Sequence, residues 1–393
     1  MPTEDEMTVN ERRKYLKRMK PLYLKAKKAE RSRLLTEMEQ VSGLHRKSLS
    51  RLLHAQSLER KSRQKPRKPN YGAEVEEVIL QVWESLDYIC AERLTPALLT
   101  MAQHLARFAS VKLTGEIEEQ LQTISRATVS RILRRFRSRR RRLPQKGAER
   151  ANRVTKGVPM GRLAWNIKEP GHFEVDLVYH SGESTIGEHG HTIQMVDVAT
   201  GWSERVAVMG RGQRAMEAGF EHLLSRLPFA VVELHPDNGS EFFNAHLVRY
   251  WKEKVVGVQL SRSRPYQKND NRIVEQKNDT LVRQYFGDLR FDHPEQIEAM
   301  NALYEQMWLY YNLFQPVMHL IEKTAVGDKV RRKWDQACTP FERLKATGKL
   351  SAQQEQRLQT LYEQTNPQHL REEIYQGLAQ LWSQSIASAT EVA

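Results

Sequence analysis

Three carboxylates sit where acidic side chains can do chemistry. Asp176 lies at the centre of the alternating run "HFEVDLVYH". Asp237 ends the apolar run "AVVELHPD", beside an Asn238-Gly239 pair that breaks the strand. Glu275 belongs to "NRIVEQKNDTLVRQYF", a helical pattern with Asp270 or Asn271 as N-cap. Any one of them alone is explained as a helix cap or a solvated side chain. Three hard oxygen donors at one point, however, repel one another unless a cation sits among them. Mg²⁺, or Mn²⁺ in its place, suits such a set. Two ions about 4 Å apart clamp a phosphodiester for in-line attack by water or a DNA 3′-OH, with no covalent enzyme intermediate. Asp176, Asp237 and Glu275 are therefore the candidate catalytic and metal-ligating residues, holding two ions per site.

The surrounding pattern must bring them together. From Leu163 onward, "HFEVDLVYH" is followed by "HTIQMVDVATGWSERVAVM", two strands joined through a tight Ala-Thr-Gly turn. "RAMEAGFEHLLSRL" reads as an amphipathic helix, "FAVVELHPD" as a strand, "NAHLVRYWKEK" as a helix and "VGVQLSRS" as a short strand before the Glu275 helix. The order β-β-β-α-β-α-β-α predicts three antiparallel strands and then two crossovers into parallel strands. The first strand falls at the centre of the sheet, next to the strand that ends at Asp237, and the Glu275 helix packs across the same end. Sixty residues separate Asp176 from Asp237, and thirty-seven separate Asp237 from Glu275.

An acidic site contrasts with a basic chain. Lys plus Arg number 62 against 48 for Asp plus Glu, giving a net charge of +14, and the pI is near 9.7. That excess points to a polyanionic partner. No run of about 18 apolar residues favours a membrane, and the N-terminus lacks the apolar stretch of a secretory signal. The two cysteines, Cys90 and Cys338, have neither zinc-finger spacing nor a disulfide framework and fit a reducing compartment. Double-stranded DNA in a bacterial-type cytoplasm is the expected setting.

Two basic helical blocks precede the strands. In "LLTEMEQVSGLHRKSLSRLL", Gly43 stands where a helix-turn-helix needs a positive φ, and Met38, Leu44, Leu49 and Leu52 stand where the helices pack. His45, Arg46, Lys47, Ser48 and Arg51 would then face a major groove. Glu39 occupies a position that usually takes a small residue. The plainer alternative is an amphipathic hairpin with a solvated basic face. In the second block, "LTPALLTMAQHLARF" carries Pro96 in its first turn. "TISRATVSRILRRF" resembles a recognition helix capped by Ser125 and packed through Val129, Ile132 and Leu133, with Arg126, Thr128, Arg131 and Arg135 toward DNA. The connection between these two helices, 109 to 124, is longer than a simple turn. Eight arginines fall between positions 131 and 142, a run suited to phosphate contact.

"FEVDLV", "HPDNGSEFFNAHL" and "SRSRPYQKNDNRIVEQKND" resemble the integrase-type catalytic core of bacterial insertion-sequence transposases, within the retroviral integrase superfamily. The resemblance covers about residues 160 to 315, and is weaker to about 345 through "YNLFQPVMHLIEK" and "TPFERL". It implies an RNase H-like fold, with the three-acid pattern on Asp176, Asp237 and Glu275 and metal-dependent cleavage and strand transfer of transposon DNA. It also implies a dimer or larger synaptic assembly. Tyr266, Gln267 and Lys268 look like part of the loop that precedes the catalytic helix in this superfamily and would steer scissile DNA. The zinc-binding His/Cys domain of retroviral integrases is missing here, which leaves end recognition to the helical blocks.

Other residues have quieter readings. Asn278 and Arg283 fall within about 80° of Glu275 on the helix and are candidate DNA contacts. Lys277 points away from Glu275, toward phosphate or solvent. His235 shares a strand face with Asp237 and is structural or touches substrate. Asp197 is structural; His189 and His191 share a strand face by period 2, a spacing open to a metal, but with no soft-ligand partners evident they read as a solvated hairpin end. The expected architecture is multidomain: a first helix-turn-helix-like module (1–59), a basic linker (60–72), a second helical DNA-binding module (73–142), a linker (143–162), a mixed-sheet core with flanking helices (163–315) and a helical C-terminal region (316–393). The function read from it is a DNA transposase acting on transposon ends and target DNA. The alternatives are a catalytically silent DNA-binding regulator and a nuclease on the same fold.

Overall fold

The computed structural model describes residues 7–59, 71–136, 160–161, 163, 167–236, 250–251, 255, 257–263, 271–326 and 329–391. The chain divides into two compact units, Met1–Asn70 and Tyr71–Ala393.

The first unit holds three helices, α1 (Val9–Lys25), α2 (Lys28–Ser42) and α3 (Arg46–His54). A capping box starts α1: Thr8 and Glu11 satisfy each other's backbone N–H groups. Gly43 ends α2 at φ 65, the left-handed conformation that glycine adopts without a Cβ penalty. Leu16, Met38, Leu49 and Leu53 close the core, with Leu44 and Leu52 packed at its edge. Glu39, the residue too large for the pattern, accepts the backbone N–H of Arg46 at 3.1 Å and so helps to start α3.

The second unit opens with α4 (Ala73–Ser85), α5 (Ala91–Arg107), α6 (Gly115–Thr123) and α7 (Arg126–Phe136). The long connection expected between 109 and 124 thus contains a helix, α6, which Thr114 caps through the Ile117 N–H. Val129, Ile132 and Leu133 bury the inner face of α7, as their spacing predicts. This helical block is not free-standing. Its core continues into Trp202, Leu313, Phe314, Phe341, Leu344 and Leu358, which come from the sheet and the C-terminal segments.

The main sheet has the order β4-β3-β2-β5-β6. Its strands are β2 (His172–His180), β3 (Gly190–Asp197), β4 (Ser203–Met209), β5 (Glu233–Pro236) and β6 (Gln259–Leu260). β2 is central, antiparallel to β3 and parallel to β5, and β5 runs parallel to β6. This is the arrangement the element order predicts. A short strand, β1 (Met160–Gly161), pairs with β7 (Arg262–Ser263).

One face of the sheet is covered by α8 (Gln213–Arg226), whose Met216, Phe220 and Leu223 pack on Phe173, Ile193 and Val206. Gly219 permits that approach, because a Cβ there would lie 2.6 Å from Ile193 Cδ1. The helix Pro294–Leu309 covers the other face, and Ile374, Leu378 and Leu381 of the helix Pro367–Glu391 share its core. No helix among the described residues is long and apolar enough to cross a membrane.

Candidate active site

The candidate site is built on β2. Alternation along the strand puts Glu174 and Asp176 on one face. Asp176 is half-buried, and its Oδ1 accepts the N–H of Leu177 at 2.9 Å. Its Oδ2 accepts a hydrogen bond from Asn278 Nδ2 at 2.5 Å. Asn278 lies three residues after Glu275, so the two share a helix face. The Glu275 helix, Arg272–Lys277, runs on through a π-helical turn, Asn278–Arg283, to Gln284–Phe286. Glu275 itself is exposed.

Glu174 fixes the start of that helix. It is fully buried, and its Oε2 accepts the backbone N–H groups of both Ile273 and Val274, at 2.7 and 2.9 Å. A helix N-terminus leaves its first N–H groups without intrahelical partners. Here the N-cap residue, Asn271, makes no side-chain cap, and a carboxylate from the central strand takes over the task. Burial pushes the Glu174 carboxyl up to about 7, against the opposing pull of those two N–H groups. The strand carrying Asp176 and the helix carrying Glu275 are thus tied at two levels, by Glu174 below and Asn278 above.

The third carboxylate, Asp237, lies outside the described residues. β5 leads directly to it: Pro236, the last residue of β5, pairs with Val175, the residue before Asp176. Tyr266, Gln267 and Lys268 also lie outside the described residues, as does most of the helix expected over "NAHLVRYWKEK". Among the described residues no group of three His, Cys, Asp or Glu side chains forms a metal cluster. Carboxylate oxygens such as those of Asp176 and Glu275 are the donor type that Mg²⁺ takes. Asn278 Oδ1 is buried and has no hydrogen-bond partner among the described residues, although the same amide is bonded to Asp176.

Several neighbours differ from expectation. Asn278, expected at DNA, is 1% exposed and is consumed by Asp176. Arg283 remains exposed. Lys277 is half-buried rather than free in solvent, and its ammonium lies 5.0 Å from the Tyr311 ring centroid. Desolvation, with Arg93, Arg205 and Arg343 nearby, lowers its pKa to about 7. His235 is structural, holding Ser261 Oγ at 2.7 Å through Nδ1. Asp197 is also structural, accepting from Gly171 N and from both the N–H and the hydroxyl of Thr200. His189 and His191 are buried and stacked at 4.6 Å rather than solvated, and desolvation lowers His191 to about 4.

Of the residues expected at DNA from the first unit, His45, Lys47 and Arg51 are exposed. Arg46 is half-buried and donates to Thr36 Oγ1 and Ser32 Oγ, while Ser48 is half-buried. The His45 ring caps α3 through the Lys47 N–H at 3.2 Å. On α7, Arg126, Arg131 and Arg135 are exposed and Thr128 is half-buried beside its cap, Ser125. Arg135 pairs with Glu76 at 2.5 Å, so part of its charge is satisfied within the chain.

The structure therefore defines a mixed α/β protein whose central strand and a packed helix carry two acidic residues. The chain belongs to the family of the uncharacterized protein y4rM of Sinorhizobium fredii, with 34% identity over 322 residues, spanning 82% of this chain and 91% of that one. No family model matches the chain. Among solved structures, the catalytic core domain of BIV integrase is similar at 16% identity and a TM-score of 0.29, over 45% of this chain and 97% of that one.

Proposed function

We propose that the protein is a DNA transposase, a polynucleotidyl transferase that cuts at transposon ends and joins them to target DNA through Asp176, Asp237 and Glu275. The observation that carries this reading is the double tie between β2 and the Glu275 helix. Asn278 bonds Asp176, Glu174 caps the helix, and the parallel neighbour of β2 ends at Pro236, the residue before Asp237 in the sequence. Two carboxylates on separate elements, with a third one residue beyond the end of an adjacent strand, suit a cation-dependent site.

In this reading Asp176, Asp237 and Glu275 hold Mg²⁺ or Mn²⁺, two ions per site. When bound, the ions would neutralise charge on the phosphodiester and raise the acidity of the attacking hydroxyl. The chain's own part is positioning. Asn278 fixes the rotamer of Asp176, Glu174 fixes the helix, and Lys277 braces the far side of that helix against Tyr311. Lys47, Arg51 and the α7 arginines hold the duplex, with Tyr266, Gln267, Lys268 and Arg283 near the cleaved strand. Water first releases a 3′-OH at the element's end, and that hydroxyl then attacks target DNA within a dimer or larger assembly.

The test uses purified protein, Mg²⁺ and labelled duplexes from the two flanks of its own gene. Joined product from the wild type and none from Glu275→Gln is the expected result. Cleavage without joining would replace the transposase with a nuclease. Binding with neither reaction would replace it with a DNA-binding regulator. Neutralising Lys47 and Arg51 together should weaken end binding and lower its salt dependence by about 2 in the log–log slope.

A further inference from the structure

A second cationic feature lies away from the carboxylates. Two strands, β8 (Leu320–Val326) and β9 (Lys329–Trp334), form an antiparallel ribbon that pairs with no other strand among the described residues. Over positions 320 to 334 the sequence carries five Lys or Arg and two Asp or Glu. Arg331, Arg332, Lys333 and Trp334 are all exposed, and Ile321 is 52% exposed. Among the described residues, Arg331, Arg332 and Lys333 form no ion pair. An isolated two-stranded ribbon has no core of its own and is marginal in water.

The base of this ribbon is nevertheless firmly mounted. Val317 and Cys338 exchange backbone hydrogen bonds at 2.8 and 3.2 Å. His319 donates its N–H to Asp335 Oδ1 at 2.7 Å, and the Asp335 N–H returns to the His319 carbonyl at 3.0 Å. Arg343 then clamps both sides, with Nη1 on Asp335 Oδ2 at 2.6 Å and Nη2 on the Val317 carbonyl at 2.9 Å. A rigid root under an unsupported, solvent-facing arm is the arrangement of a part that meets something outside the chain.

The charges indicate what it meets. Thr324 faces Arg331 and Glu322 faces Lys333 in the pairing register, while Lys323 faces Arg332. Alternation then puts Arg331 and Lys333 on one face of the ribbon and Arg332 with Trp334 on the other. Lysine on an exposed edge is a common guard against aggregation. A guard does not explain cations on both faces beside an exposed indole. Phosphates on two sides do explain them, and that is the environment inside a groove of duplex DNA, where a two-stranded ribbon fits.

We propose that the β8–β9 ribbon is a duplex-DNA-binding arm, with Arg331, Arg332 and Lys333 on phosphates and Trp334 against the groove wall. The arm adds a DNA contact to the transposase reading and rests on it. The experiment measures binding of the full chain to a labelled duplex from its own gene flank across a salt series. Arg331→Ala/Arg332→Ala/Lys333→Ala should lower the slope of log affinity against log salt by about 2 to 3, since each phosphate contact contributes about 0.9. Arg331→Lys/Arg332→Lys, which keeps the charge, should restore it.

An unchanged slope in the alanine variant, with Lys47→Ala/Arg51→Ala still reducing it, would overturn the arm and leave the transposase reading standing. Absence of DNA binding by the wild type would overturn both. A change of mass in light scattering with an unchanged slope would make the ribbon a protein-binding surface instead, which also overturns the proposal.

Discussion

Replacing Glu174 by alanine tests how the helix that carries Glu275 is held. One carboxylate oxygen receives the N–H groups of Ile273 and Val274, and the N-cap residue Asn271 makes no side-chain cap bond. Burial raises Glu174 to about 7, so above that pH its carboxylate is charged; hydrogen bonds to a charged partner contribute about 1.5 to 3 kcal/mol each, and the pair then holds the first turn by about 3 kcal/mol or more. Opening of that turn should therefore become easier by a factor of about 100. Hydrogen exchange read by mass spectrometry on a peptide covering 271 to 286 reports it directly. Glu174→Gln keeps an acceptor oxygen in the same place and should retain much of the protection, because a neutral acceptor is roughly half as strong. Unchanged protection at Ile273 and Val274 in the alanine variant would refute the claim that Glu174 positions this helix.

Two further outcomes follow from buried groups in the same sheet. Glu204 receives the indole N–H groups of Trp202 and Trp308 at 2.8 and 2.7 Å, and burial pushes its carboxyl up to about 7. A raised acid favours the folded state fully below its unfolded pKa near 4.5 and loses that advantage as pH rises through about 7. Stability should thus fall between pH 5 and pH 8, by up to about 3 kcal/mol from this group. Denaturant titrations of Glu204→Gln should show a flatter dependence; an unaltered slope would contradict the assignment. Asp197, raised to about 6 by burial, contributes with the same sign and keeps the variant from being wholly flat. Gly219→Ala should destabilise the second unit by about 1 to 3 kcal/mol, as its new methyl meets Ile193 and Val208; a wild-type melting temperature would show that α8 has room to move.

Much of this arrangement is legible from residue patterns. The nine residues of β2 are those of the alternating run, and the strand lies at the centre of the sheet because the antiparallel strands β3 and β4 extend it on one side and the crossovers to β5 and β6 on the other. Gly43 marks the α2–α3 turn because little else tolerates φ 65. Other features had no local signal. Glu174 looks like an ordinary polar residue in an alternating strand, and its role depends on a helix about a hundred residues later. Asn278 and Lys277 seem solvent-facing by helical angle alone, but Asn278 is buried and the Lys277 ammonium lies against the Tyr311 ring. Helix α6 was hidden by its weak amphipathic pattern, with only Ile117 and Leu121 buried. The shared core of the helical block and the sheet rests on long-range partners such as Trp202 and Phe341, which periodicity does not reveal.

The central claim is that Asp176, Asp237 and Glu275 act together on one cation site. Mn²⁺ titration followed by electron paramagnetic resonance measures this without requiring any reaction. The wild type should bind Mn²⁺, and Asp176→Asn, Asp237→Asn and Glu275→Gln should each weaken binding by about tenfold or more, since even the loss of an outer hydrogen-bonding partner costs a metal site that much. Equal Mn²⁺ binding by the wild type and all three variants would contradict the account.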